Sequence, residues 1–313
     1  MEQRHEARRL LVNGIVQGVG FRPFVYQLAA RCGLNGEVAN TSAGVTIHIE
    51  GLPESIRRFE QALSESPPPL ARIVEIVSQP EAVKHHTEFR ITASRGDAAM
   101  ATLISPDVAV CSDCLREMFD PADRRHRYPF INCTNCGPRY TIIDDIPYDR
   151  PKTSMRRFTL CARCQAEYDD PADRRFHAQP NACPVCGPKV TLRDKRGDEI
   201  RAEDPIREAA ALIRQGRIVA VKGLGGYHLA VDAAQPDAVA RLRRRKQREE
   251  KPFAVMSADL DAIRTFARVG PEEETLLASI ARPIVLLAKR DPFPLAAEVA
   301  PGNRFVGAML PYT

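Results

Sequence analysis

Hydrophobic and polar positions follow one rhythm near the amino end of the chain, lose it in the middle, and recover a different one afterwards. Leu10 to Val16 reads as a strand that runs into a glycine-rich turn. A helix follows, with Pro23 in its first turn, Phe24, Leu28 and Cys32 on one face, and Gly33 as its stop. Val45, Ile47 and Ile49 alternate with polar residues, the pattern of a half-buried strand. Ile56, Phe59 and Leu63 share one face of a second helix, which Pro67-Pro68-Pro69 ends. Ile73 to Val77 and Phe89 to Ala93 supply two more strands. The order β-α-β-β-α-β predicts a ferredoxin-like α/β sandwich, with Cys32 packed in its core.

The rhythm fails over residues 105–191, which hold eight of the nine cysteines and few large apolar residues. It returns after residue 203. Asp204-Pro205 reads as a helix start, with Ile206, Ala209, Ala210 and Ile213 on one face. Ile218 to Val221 reads as a buried strand leading into Gly223-Leu224-Gly225-Gly226. A helix through Leu242, a strand Phe253 to Met256, two helices and a strand Ile284 to Leu287 complete an α/β pattern. The pattern reaches Thr313 without a terminal helix or polar tail, so this last domain is expected to be incomplete. The fold class is therefore α/β multidomain, with boundaries expected at 6–95, 96–200 and 201–313.

The middle part repeats itself. Residues 111–141 and 161–191 are identical at 14 of 31 positions. Both copies carry Cys-x-x-Cys, then Asp-Pro-Ala-Asp-Arg-Arg, then Cys-x-x-Cys-Gly-Pro. Cys111, Cys114, Cys133 and Cys136 form one set, and Cys161, Cys164, Cys183 and Cys186 the other. Two such knuckles complete a tetrahedron about one Zn²⁺, and four sulfurs leave no open position, so two structural zinc ions are predicted. Burial alone could hardly offset the chain entropy of so polar a segment, whereas a structural zinc supplies roughly 10–16 kcal/mol of apparent folding free energy. His126 and His177 lie near the knuckles but are not needed as ligands. Pairing within each copy is the simpler arrangement, and spacing leaves cross-copy pairing open.

Composition changes the picture in one respect. The formal net charge of +5 suggests a basic protein. Eight thiolates on two dications remove four units of charge and leave about +1, which weakens any case for nucleic acid as the partner. Apolar residues make up 44% of the chain, the longest apolar runs are too short to cross a bilayer, and Met1 to Arg9 carries no apolar stretch of signal-peptide length. A soluble cytoplasmic chain with no membrane partner is expected, and reduced thiols favour metal over disulfides.

The turn after the first strand carries candidate chemistry. In Gly14-Ile15-Val16-Gln17-Gly18-Val19-Gly20-Phe21-Arg22, glycines let several amides converge at a helix N-terminus, and Arg22 could clamp two phosphate oxygens. The run closely resembles the signature of acylphosphatases, and the likeness extends to Gly36-Glu37-Val38-Ala39-Asn40-Thr41 and to the element order over 8–93. The resemblance implies that the backbone of Gln17, Gly18, Val19, Gly20 and Phe21 and the Arg22 side chain hold the phosphate. It also implies that Asn40 orients the water that attacks the acyl carbon. An acyl phosphate is already activated, so positioning and charge stabilisation can supply most of the rate.

In the third part, Lys246-Gln247-Arg248-Glu249-Glu250-Lys251-Pro252 resembles the YrdC-type domain of threonylcarbamoyl-adenylate synthases. That likeness implies ATP with Mg²⁺ as substrate and Lys246, Arg248 and Lys251 as nucleotide-binding residues. The spacing is one residue shorter than in the free-standing enzymes, and their later Ser-x-Asn element is not found. The three parts in this order, with Arg-Phe-His-Ala-Gln-Pro-Asn-Ala-Cys-Pro-Val-Cys-Gly-Pro at 175–188, closely resemble the HypF carbamoyltransferases of [NiFe]-hydrogenase maturation. Members of that family are much longer, so the chain reads as an N-terminal fragment.

The resemblance implies hydrolysis of carbamoyl phosphate, formation of carbamoyl adenylate with ATP, and transfer to the C-terminal cysteine of an acceptor protein, HypE, by a further domain. Two other readings compete: a plain acylphosphatase with a zinc appendage, and a zinc-dependent nucleic-acid-binding protein. The basic run Arg241 to Arg248 supports the latter, and RNA binding by a YrdC-type domain stays open. The small corrected charge and the lack of aromatic residues beside the run stand against it.

Overall fold

A computed structural model describes residues 5–94 and 103–313. The expected boundary between residues 95 and 96 lies outside the described residues. The chain forms two compact units, Met1–Pro188 and Lys189–Thr313.

The first unit opens with β1 (Glu6–Ile15), α1 (Phe21–Cys32), β2 (Asn35–Thr41), β3 (Gly44–Gly51), α2 (Pro53–Glu65), β4 (Arg72–Glu81) and β5 (Phe89–Ile91). Their sheet runs β4-β1-β3-β2-β5, antiparallel except for the β2–β5 pair. Both helices carry the expected apolar spacing. From α2, Ile56, Phe59 and Leu63 pack with Leu10, Val12, Val45, Ile47 and Ile49 in one core. Each such fully buried side chain contributes roughly 1.5–3 kcal/mol by leaving water. On α1 the buried face is Phe21, Val25, Leu28 and Ala29, while Phe24 and Cys32 are half-buried at its margin. Gly33 takes the left-handed conformation that ends the helix, at φ 65°.

The strand expected to be half-buried departs from its pattern. β3 is covered on both faces, and His48 and Glu50 on its polar face are only 3% and 5% exposed. The connection leaving β4 covers that face, since Lys84 and His86 both donate backbone hydrogen bonds to the Glu50 carboxylate.

The doubled segment adds α3 (Ser112–Phe119) and α4 (Ala162–Asp169). Each begins directly after the first cysteine of its copy, with Cys111 and Cys161 as the capping residues.

The second unit contains β6 (Leu192–Arg193), β7 (Glu199–Ile200), α5 (Pro205–Arg214), β8 (Val219–Gly223), β9 (Gly226–Ala230), α6 (Pro236–Arg245), β10 (Ala254–Met256), α7 (Leu260–Phe266), α8 (Pro271–Ala278), β11 (Val285–Ala288) and β12 (Phe305–Met309). β12 lies between β10 and β11, parallel to the first and antiparallel to the second. Val239, Ile263, Phe266, Leu277, Leu287, Val306 and Ala308 form the core. Asp204 caps α5 by accepting from the amides of Ile206 and Arg207, as its Asp-Pro start predicts.

Two expectations fail here. The segment 218–221 is not a buried strand: among the described residues β8 pairs only with β9, in a hairpin turning at Leu224-Gly225, and Val221 and Leu229 stay 45% and 44% exposed. Ile206 on the apolar face of α5 is also exposed. In both cases the apolar stripe is present but only partly covered: α5 packs against β6 and β8 and leaves Ile206, Val221 and Leu229 exposed. No described helix is long and apolar enough to cross a membrane.

Candidate functional site

The turn from β1 into α1 places the sequence-predicted anion loop at the mouth of a pocket. Gln17, Gly18, Gly20, Phe21, Arg22 and Asn40 all line it. Gly18 and Gly20 adopt positive φ of 72° and 74°, conformations that L side chains rarely take. These turns leave the first amides of α1 without intrahelical acceptors at a positive dipole end. Val19 and Phe21 send their side chains into the core, so only their backbones can serve a ligand. Gln17 acts as a bridge: its amide nitrogen donates to the carbonyls of Thr41 and Gly44, and its oxygen accepts from the Tyr148 amide.

A strap between the two cysteine copies crosses this pocket. Arg22, 8% exposed, donates to Asp149 Oδ1 at 2.7 Å. Asn40, 1% exposed, donates from Nδ2 to the Tyr148 carbonyl, and its Oδ1 is buried with no partner among the described residues. Burial pushes the Tyr148 phenol up, and its ring packs against Gly18. Arg139 is buried and ties the loop to the first cysteine copy, donating to the carbonyls of Gly18, Cys136, Cys133 and Thr134. His177 completes the pocket wall; burial first, and then the Arg22 charge, depress its imidazole to about 4, so it is neutral near pH 7. The guanidinium therefore already holds an anion, the Asp149 carboxylate, beside an orphaned acceptor on Asn40.

Sequence reasoning placed Arg22, Asn40 and the loop, but not Arg139, Tyr148, Asp149 or Gln179. These sit more than a hundred residues away, and no local pattern marks Tyr148 or Asp149. Gln179 and His177 fall inside the run 175–188 whose composition stood out.

The eight cysteines gather within each copy: Cys111, Cys114, Cys133 and Cys136 in one cluster, Cys161, Cys164, Cys183 and Cys186 in the other. Sulfur separations are 3.8, 3.8 and 3.5 Å in the first and 3.8 and 3.7 Å in the second. Four sulfurs at 2.3 Å from one zinc lie about 3.8 Å apart along each edge of the tetrahedron. Both clusters thus fit one Zn²⁺ each with a closed sulfur shell.

The copies brace one another reciprocally. Arg124 donates to Cys164 Sγ at 2.7 Å, and its counterpart Arg174 donates to Cys114 Sγ at 3.1 Å. Arg125 pairs with Glu167 and donates to the Ala182 carbonyl; Arg175 pairs with Glu117 and donates to the Asn132 carbonyl. Burial alone would raise the Glu117 carboxyl, but Arg174 and Arg175 hold it down at about 2. Guanidinium donors beside thiolates offset the negative charge that four sulfurs place on a dication.

In the second unit, Lys246 caps the end of α6 and Lys251 lies five residues on, both exposed. Arg248 donates to the backbone carbonyls of Lys251 and Pro252 and stacks on Phe253, with Arg243 on the same ring. The structure brings Arg248 and Lys251 together through backbone; the two lysine side chains share no described contact with it.

Comparison with known proteins agrees with this layout. The Acylphosphatase profile matches residues 8–91, that of the HypF finger matches 110–143 and 160–193, and the Sua5/YciO/YrdC profile, described as Telomere recombination, matches 211–313. Carbamoyltransferase HypF2 of Cupriavidus necator is 55% identical over 97% of this chain and 38% of that protein. Carbamoyltransferase HypF of Synechocystis is 50% identical over 96% of this chain and 39% of its own length. A crystal structure of full-length HypF in the phosphate- and nucleotide-bound form superposes with a TM-score of 0.94 at 50% identity, covering 99% of this chain and 40% of that one. The chain thus spans about two fifths of the length of these three relatives.

Proposed function

The chain belongs to the HypF carbamoyltransferase family, and from that premise we propose that its first unit hydrolyses carbamoyl phosphate as the opening step of carbamoyl transfer for [NiFe]-hydrogenase maturation. One observation carries the reading: the loop amides, Arg22 and Asn40 converge on one pocket in which the guanidinium is already engaged by a carboxylate. A phosphoryl group, also an oxyanion, would take that place.

The chemistry follows from the donors. Loop amides and Arg22 grip phosphoryl oxygens, where charge is spread during transfer. The orphaned Asn40 Oδ1 would accept a hydrogen bond from a water and aim it in line. Because the cradle holds the phosphoryl oxygens, attack falls at phosphorus rather than at the acyl carbon expected from sequence, and carbamate leaves as the phosphate forms. Neutral His177 and the buried Tyr148 limit water in the pocket. Cys111, Cys114, Cys133 and Cys136, and Cys161, Cys164, Cys183 and Cys186, would each hold a structural zinc that fastens the strap carrying Tyr148 and Asp149.

The later steps are proposed for a protein of the relatives' full length, of which this chain spans about two fifths. The reading divides the chain at 6–95, 96–200 and 201–313, with the last part YrdC-like. There ATP with Mg²⁺ would convert carbamate to carbamoyl adenylate near Lys246, Arg248 and Lys251, for transfer to the C-terminal cysteine of a HypE-type acceptor in the cytoplasm. Carbamate decomposes in water, which favours tethered sites. Relatives matched over nearly the whole chain are carbamoyltransferases, so neither a lone acylphosphatase nor a nucleic-acid-binding protein is needed to explain it.

The test is phosphate release from carbamoyl phosphate by the wild type and by Arg22→Ala, with zinc content measured on both. Release by the wild type, lost in a variant that keeps two zinc ions, supports the reading. Equal release by both overturns it.

A further inference from the structure

Outside the anion pocket and the cysteine clusters, one group of side chains in the first unit has the makings of a site. His48 and Glu50 stand two residues apart on β3 and so share its polar face, where both are buried. The connection after β4 brings His86 against them. A ring nitrogen of each histidine and a carboxylate oxygen of Glu50 all lie within 4.8 Å of one another.

We propose that His48, Glu50 and His86 bind a third divalent metal ion of the zinc class, through two imidazoles and one carboxylate. Four features point to a cation rather than to an ordinary buried hydrogen-bond network. The Nε2 atom of His86 is buried and has no partner among the described residues, a state that a native fold seldom leaves unexplained. The two imidazoles are tilted by 55° with centroids 5.3 Å apart, so they converge without stacking. His48 turns its Nδ1 to Glu81 Oε2 at 2.6 Å, the carboxylate–histidine arrangement that orients a ligating imidazole. Glu50 is held in place by the amides of Lys84 and His86, at 2.5 and 3.0 Å, and its Oε1 lies 2.7 Å from His48 Nε2, a contact that the ion would take over.

Charge and donor type select the ion. Glu50 supplies a negative charge at the site, and Glu81, which Lys84 also pairs at 3.3 Å, stands behind His48. Two nitrogen ligands favour zinc, cobalt or nickel over calcium or magnesium, which prefer all-oxygen shells. Three protein ligands leave a fourth position for water. The ion would fasten the central strand of the sheet to the connection between β4 and β5, a role distinct from the all-sulfur sites.

The test uses the zinc-loaded chain without a histidine tag, equilibrated by dialysis with micromolar Co²⁺ and analysed for both elements. The expected result is two zinc ions and one cobalt ion per wild-type chain, with weak visible d–d bands and no thiolate charge-transfer band. His86→Gln, at a half-buried position, should lose the cobalt and keep both zinc ions, as should His48→Gln. If a variant sheds its zinc and so reports misfolding, the wild-type spectrum decides: nitrogen–oxygen bands support the site, and sulfur charge transfer overturns it. No cobalt in the wild type, or one cobalt per chain retained in a folded His86→Gln, also overturns it.

Discussion

Replacing Asp149 by Asn should tighten the binding of inorganic phosphate to the anion loop. Arg22 and Asp149 are 8% and 24% exposed, and their 2.7 Å contact occupies the guanidinium that the proposed phosphoryl ligand would use. In the wild type, binding exchanges one charge-assisted hydrogen bond for another, and a bond of that kind is worth roughly 1.5–3 kcal/mol. The displaced carboxylate also stays close enough to repel the incoming dianion; at about 5 Å and an effective dielectric near 20 that repulsion is on the order of 3 kcal/mol per unit charge, before solvent screening. Asn keeps the shape and removes the charge. Allowing for the partial exposure of Asp149, a gain of about 1.5–2 kcal/mol remains, or roughly a ten- to thirtyfold lower Kd. Isothermal titration with phosphate reads this directly, and Arg22→Ala in the Asp149→Asn background should remove the gain. An affinity unchanged within about twofold, or weakened, would show that the carboxylate orients the ligand rather than competing with it.

Other consequences can be checked on the same protein. Arg174→Ala should speed zinc release from the first cluster by about 10- to 100-fold, because the hydrogen bond it loses ends on Cys114; alkylation should then label Cys111, Cys114, Cys133 and Cys136 first, and preferential labelling of the second copy would refute the brace. Gly36→Ala should cost roughly 4 kcal/mol or more in denaturant unfolding, since its Cβ would meet the His48 carbonyl oxygen at 2.0 Å, whereas Gly33→Ala, in open space at φ 65°, should cost about 1 kcal/mol. The folded-state value of His177 lies near 4 against 6.5 when unfolded, so the neutral ring stabilises the fold above pH 6.5 and that contribution fades as pH falls towards 4. The loss is on the order of 2–3 kcal/mol, and His177→Gln should flatten that part of the stability–pH curve; an unchanged curve would show that His177 is not the group responsible.

Much of the fold can be read locally because periodicity reports which side faces a core. Ile56, Phe59 and Leu63 announce their helix and its buried face, and Gly33 announces its end. The same logic misjudged β3, because burial of its second face depends on a connection thirty residues further on, with Glu81 and the amides of Lys84 and His86 taking up His48 and Glu50. It also misjudged 218–221: an apolar run says that a segment can be buried, not that its neighbours cover it fully.

The sequence by itself determined the two four-cysteine sets, the glycine loop ending at Arg22 and the order of the elements, since each of these is written in short motifs and periodicities, while Asn40 came from the acylphosphatase resemblance. Only the tertiary structure decided which knuckles pair and that each copy's arginines serve the other copy's sulfurs and glutamate. It also decided that Tyr148 and Asp149 lie across the loop, more than a hundred residues from it in sequence. The physical reason is that charge-assisted contacts and burial depend on distance in space, and the strap meets Arg22 only once sheet and cysteine copies have packed into one unit.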